Sequence, residues 1–208
     1  DDLPPGTPEL KLAELLSRYR ELRNQRLATA GKRERAAENL VISNLQKRLL
    51  SSIAAFDRTL QVHRNTLEKR AAKAGKQRQV RLDSLDLLQN AIDGDDERAG
   101  GDEEELLKEA DAQHEAALSS ALEASPEEWE LLHQMQGIAQ EARYQADSRV
   151  KRLETLIRDH LCPDLGQEGA RWNDELMLIF TEYADTKDWL ERRVRELIDR
   201  SDQVEARI

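Results

Sequence analysis

Cysteine is almost absent: Cys162 is the only one in 208 residues. A lone thiol excludes an intrachain disulfide and any zinc site built on cysteines, and it fits a reducing compartment. Aromatic residues are scarce, at 4%. Beside 36% charged residues, that scarcity argues against a thick globular core and for long, solvent-laced helices. Proline is rare as well. Pro4, Pro5, Pro8 and Pro163 fall at ends or breaks, and Pro126 sits where a helix would begin. No apolar run approaches the ~20 residues of a membrane span, and no signal peptide is visible. The expectation is a cytoplasmic chain with no membrane partner.

Catalytic signatures are missing too. His63, His114, His133 and His160 are scattered, and none forms an HxxxH or HExxH pair. Ser51 and Ser52 have no base nearby in sequence. The carboxylates lie on repeating polar helix faces, which is a solvated arrangement rather than one that tunes a general acid. No catalytic residue and no metal ligand is assigned.

Charge is plentiful and unevenly placed. The net charge is −10. From Lys11 to Leu82 there are 18 Lys and Arg against 6 Asp and Glu, a net of +12. From Asp83 to Glu130 the balance reverses to −15. A basic third and an acidic third can pair with each other or face different partners.

Hydrophobic periodicity gives mostly helices. Thr7 and Pro8 open the first, which carries Leu12, Leu15, Leu16, Tyr19 and Leu22 on one face and ends near Gly31. The second is expected to run unbroken from about Lys32 to Ala74. Val41, Leu45, Leu49, Ile53, Phe56, Leu60 and Leu67 form its apolar stripe, and basic residues line the other face. A short helix over Leu82–Ile92, an acidic glycine-containing linker and a helix over about Asp102–Glu123 follow. Ser125, Pro126 and Glu128 make a capping-box start for another long helix, reaching about His160 before Cys162-Pro163. Its stripe is the natural partner for the second helix. The expected fold is therefore all-α: a long antiparallel helical hairpin or coiled coil with shorter helices packed on it.

One stretch differs. Leu176, Met177, Leu178, Ile179 and Phe180 are uninterruptedly apolar, and an amphipathic helix with Trp189, Leu190, Val194 and Leu197 follows. That is the pattern of a buried parallel strand feeding a crossover helix, an orphan strand in an otherwise helical chain. The residues Phe180, Thr181, Glu182, Tyr183, Asp185 and Thr186, with Leu178, Ile179 and Leu190, resemble the start of the second RecA-like lobe of Snf2-like superfamily-two helicases. The stretch from Asn39 to Arg64, with its Leu-x-Lys-Arg-x-x-x-Ser-Ser core, is similar to the helix those ATPases carry between their lobes. Together the two cover about fifty residues, in the family's order.

The resemblance implies a helical insertion over residues 1–174 and the first strand and helix of lobe two over 175–208. It implies ATP and magnesium for a parent enzyme only. No phosphate loop, Asp-Glu box or downstream arginine motif occurs here, so no cofactor is expected in this chain, which reads as an excised fragment. The expected partners are duplex DNA, bound weakly and without sequence preference, or the parent's other lobes. A homodimer through an exposed apolar stripe is a further partner class. The expected phosphate contacts are Lys47, Arg48, Arg64, Lys69, Arg70, Lys73 and Lys76, because cations on phosphates give affinity without reading sequence. Asp95, Asp96 and Glu103 to Glu105 are expected to fold over that basic helix. A reading of another class is a stand-alone coiled-coil scaffold protein.

Overall fold

The computed structural model describes residues 3–28, 30–74, 112 and 123–208. Six α-helices are placed: α1 (Pro8–Leu27), α2 (Lys32–Ser51), α3 (Ile53–Ala74), α4 (Pro126–Ala142), α5 (Ser148–Leu156) and α6 (Ala184–Ile198). A π-turn, Ile157–Leu161, extends α5, and a 3-10 turn, Val204–Ala206, follows α6. Among the described residues there is no strand, only a bridge between Ala170 and Ser201. The fold is all-α. The expected helices over Leu82–Ile92 and Asp102–Glu123, the acidic linker and its fold-back lie outside the described residues, Ala112 and Glu123 excepted.

The chain forms two compact units, residues 1–143 and 144–208. The division falls before the expected one at 174/175. Residues 144–174 build a core with α6 instead of continuing the helix that Pro126 starts.

The first unit is an antiparallel four-helix bundle of α1 to α4. Each helix packs on two others, α1 on α2 and α4, and α3 on α2 and α4. Ion pairs set the directions: Arg23 near the end of α1 meets Glu38 near the start of α2 and Glu128 at the start of α4. Asp57 at the start of α3 meets Arg143, just past the end of α4. The single helix expected over Lys32–Ala74 is broken at Ser52, whose backbone is extended (φ −161°, ψ 156°). The Ser52 hydroxyl oxygen accepts from the Ala55 N–H at 3.0 Å, so Ser52 starts α3 as its N-cap. Glu38, early in α2, acts electrostatically on Arg70, late in α3, so the chain reverses at this residue. The long hairpin expected from periodicity is thereby folded into shorter helices around one core: Leu12, Leu16, Val41, Leu45, Phe56, Leu60, Leu132 and Met135, among others.

The helix expected to reach His160 is also broken. Residues 143–147 leave the helix, and the Asp147 carboxylate accepts from the N–H groups of Arg149 and Val150, capping α5. In this second unit Ile157, Leu161, Cys162, Leu165, Ala170 and Ile198 form a small core. Backbone bonds stitch the intervening loop to the end of α6: Gly169 N–H to Arg200 O at 2.7 Å and Asp202 N–H to Ala170 O at 2.9 Å. Gly169 has φ +70°, a left-handed value that favours glycine.

Candidate functional site

The basic residues singled out in the sequence do not share one continuous helix face. Lys47 is exposed near the corner at Ser52, and Lys69 is exposed near the far end of α3. Because the chain reverses between them, they sit toward opposite ends of the bundle. Arg48 is 3% exposed, so its guanidinium belongs to the interior and not to a phosphate-facing surface. A stripe of period near 3.6 drifts around the helix, and at Arg48 it turns inward beside Leu45 and Leu49. The Arg64 guanidinium donates to Glu68 at 3.2 Å. Burial pulls the Arg70 pKa below its ordinary value, with Glu38 and Glu123 partly offsetting this. Lys73 belongs to α3, and Lys76 lies outside the described residues.

The reversal creates a different arrangement that sequence order hides. Lys32 and Arg35, exposed in the first turn of α2, come to the same end of the bundle as Lys69 and Arg70. Arg26, at the end of α1, is there too. This basic end collects residues from three helices, and no linear run of sequence signals it.

Beneath that end lies a buried ionic cluster. Arg23, 1% exposed, donates to both oxygens of Glu38, from Nε at 3.2 Å and Nη2 at 2.6 Å. Its Nη1 donates to Glu128 at 3.3 Å, and Arg26 donates to the same Glu128 oxygen at 2.5 Å. Glu128 keeps the role expected of it as well, accepting from the Ser125 N–H at 2.7 Å while Ser125 Oγ accepts from the Glu128 N–H. One carboxylate thus caps α4 and ties it to α1. Burial works against the Arg23 charge, but Tyr19, Glu38 and Glu128 outweigh it and raise its pKa. Next to it, Tyr19 Oη and His63 Nε2 share a 2.8 Å hydrogen bond, with the two rings edge to face. Burial raises the Tyr19 pKa above its ordinary value, with Arg23 opposing and Glu38 adding to the shift. Arg23 follows Leu12, Leu16 and Tyr19 at helical spacing, and His63 follows Leu60 likewise. That placement of polar residues on an apolar stripe was the available signal for both.

The residues Phe180–Thr186 lie in the second unit. Phe180 is 90% exposed, Thr181 and Glu182 are exposed, and Tyr183 is the residue before α6. The Thr181 hydroxyl donates to the Tyr183 carbonyl at 3.3 Å. Asp185 stands in the first turn of α6, and Thr186 and Trp189 are buried. The expected strand over Leu176–Phe180 is absent among the described residues. No sheet exists there to take it, and a strand's amides need partners.

Among the described residues, no group of His, Cys, Asp and Glu could hold a metal ion. A groove of about 770 Å³ between α1 and α4 is walled by Arg18, Glu21, Gln25, Glu127, Glu130 and Leu131, a set with no nucleophile. A groove of about 300 Å³ between α5 and α6 is floored by Val150, Leu153, Val194 and Leu197. The Cys162 thiol is buried, and burial first, then Asp164 and Asp202, push its pKa up, away from the thiolate a nucleophile needs. Among the described residues no helix is long and apolar enough to cross a membrane. Comparisons with family models, curated proteins and solved structures found no match to this chain.

Proposed function

We propose that this chain is a non-catalytic helical insertion from a Snf2-like, ATP-driven DNA translocase, placed to couple the two lobes and to touch the DNA backbone. The observation that carries the reading is the division into two compact units. An insertion has to fold without help from its host, and the first unit has its own core and its own buried ion pairs. The segment that resembles the start of lobe two falls in the other unit, after the bundle is complete. The Asn39–Arg64 segment departs from the family pattern in one respect: Ser52 divides it into two helices.

DNA contact is assigned to the basic end of the bundle, Lys32, Arg35 and Lys69, with Lys47 a separate and weaker contributor. Lys and Arg near phosphates release counterions, so such contact is sequence-independent and salt-sensitive. A self-contained core also suits a stand-alone scaffold protein, the competing reading.

The native reading frame that contains this segment decides between them. The expected product hydrolyses ATP in a DNA-stimulated manner, and removing residues 1–143 uncouples hydrolysis from translocation. A native frame without a phosphate loop, or a product without ATP turnover, overturns the reading in favour of the scaffold. The chain itself is expected to show no ATP hydrolysis.

A further inference from the structure

A single residue joins two long helices. α2 ends at Ser51, α3 begins at Ile53, and Ser52 alone lies between them. Helix–helix connections in bundles ordinarily take about 2–8 residues and use Gly, Pro, Asn or Asp to turn. Here neither glycine nor proline occurs from Lys32 to Ala74. The apolar stripe also ignores the corner. Val41, Leu45 and Leu49 before it and Ile53, Phe56 and Leu60 after it follow one another at steps of four and three, and all six are buried in one core. What keeps the corner is local: the Ser52 hydroxyl accepts from the Ala55 N–H at 3.0 Å. In a straight helix the Ser51 carbonyl takes that same N–H. Two backbone arrangements thus compete at one residue, and the sequence on both sides suits either.

Straightening takes the core of one chain apart, and a second copy restores it. α1 and α2 form one half of the bundle and α3 and α4 the other, with α1 packed on α4 and α2 on α3 across the divide. With Ser52 helical, the two halves of one chain point away from each other. Each finds its missing half on a second copy, and the contacts across the divide re-form between chains. Those contacts include Arg23 with Glu128 and Tyr19 with His63, whereas Arg23 with Glu38 and Asp57 with Arg143 stay within a chain. We propose that two copies of this chain exchange halves about Ser52, giving two bundles joined by two unbroken helices over residues 32–74. The interface is the bundle's own buried surface, so no exposed apolar face is needed. Each basic end then draws Lys32 and Arg35 from one copy and Lys69 from the other. The proposal goes beyond the translocase reading and does not depend on it, because the exchange involves no DNA.

The test uses the full chain, refolded from urea at rising protein concentration and weighed by light scattering. Monomer is expected in dilute protein and dimer toward millimolar concentration. Ser52→Ala removes the cap that favours the corner. A cap is worth about fivefold in an equilibrium constant and a dimer straightens two corners, so the association constant should rise roughly twenty-five-fold. Inserting Gly-Asn-Gly between Ser52 and Ile53 interrupts the straight helix and gives the corner an ordinary turn, which should abolish the dimer. Spin labels on Lys32→Cys and Lys69→Cys, in a Cys162→Ala chain diluted into excess unlabelled protein before refolding, read the shape of one chain within the dimer. Exchange sets the two labels about 55 Å apart, whereas the monomer holds them at one end of the bundle. A full chain that stays monomeric at millimolar concentration overturns the proposal. So does a dimer whose intrachain label distance matches the monomer's, one that Ser52→Ala fails to strengthen, or one that the insertion leaves in place.

Discussion

The two units treat charge and apolar surface in opposite ways. Among the described residues, the bundle buries a cluster of sixteen core residues from four helices, while the second unit's cluster has six. The larger core has room for ions inside it: Arg23, Glu38, Glu128 and Asp57 are each at most 2% exposed. The smaller core relies on backbone bonds from a loop and leaves Leu176, Leu178 and Phe180 outside. A unit that satisfies its own interior is suited to fold alone. A unit that leaves a strand-like apolar run in water is suited to complete itself on something else.

The largest loss of stability in the bundle is expected at Arg23. Arg23→Ala takes the bidentate arginine from the buried Glu38 carboxylate and leaves Arg26 as the arginine on Glu128, and a loss of about 3–5 kcal/mol is expected in urea unfolding. A triple variant, Arg23→Met, Glu38→Leu and Glu128→Gln, should recover most of that loss, since a buried pair is weak evidence for stability by itself. If the single and triple variants are equally damaged, the ions matter for more than mutual compensation.

Core truncation comes next. Leu132→Ala and Ile198→Ala, both at fully buried sites, should each cost about 2–5 kcal/mol. Residue-resolved hydrogen exchange sharpens the contrast. Leu132→Ala should lower protection across α1 to α4, and Ile198→Ala should release the amides of Gly169 and Asp202, which bond the loop to the end of α6. Wholesale loss of bundle protection in Ile198→Ala would contradict the separation of the two cores.

Tyr19→Phe should cost about 1–3 kcal/mol, because it leaves His63 buried beside a lost hydroxyl. It also carries a pH signature. The folded state holds the Tyr19 pKa above its unfolded value of about 10, so folded protein binds more protons in that range. The Tyr19 contribution is intact below about pH 10 and is lost as pH rises through and beyond it. Tyr19→Phe should flatten the alkaline limb of a stability profile, and an unchanged limb would assign it elsewhere. Ser125→Ala, which removes one side of the capping box, should cost about 1 kcal/mol. The smallest effect is expected at Phe180→Ser, within about 0.5 kcal/mol, since the ring is already in water.

The helices of the bundle were legible because their apolar residues recur at helical spacing, and the Ser125–Glu128 box was legible because its residues are local. The corner at Ser52 was harder to see. The stripe Leu49, Ile53, Phe56 runs straight through it, and only a cap-competent serine hinted that the chain could leave the helix there. Asp147 posed the same problem between Ala142 and Val150. The basic end was illegible for a geometric reason: Lys32 and Lys69 become neighbours in the bundle's end only if the chain reverses between them, and helical period alone cannot specify a reversal. Arg48 shows the converse error, a cation counted on a polar face that the drift of the stripe carries inside. The Leu176–Phe180 run was recognisable as strand-like, but whether a sheet covers it depends on residues beyond the run itself.

Duplex binding as a function of salt tests whether the basic end of the bundle faces DNA. With the full chain and a labelled duplex, weak binding without sequence preference is expected, with Kd on the order of 10⁻⁴–10⁻⁶ M at physiological salt, falling steeply as salt rises. Reversing Lys32, Arg35 and Lys69 together to Glu should abolish it, whereas Lys47→Glu should leave most of it in place. Binding that ignores salt, or that survives the triple reversal unchanged, would contradict a DNA-facing basic end and with it the assignment of this bundle to a DNA translocase.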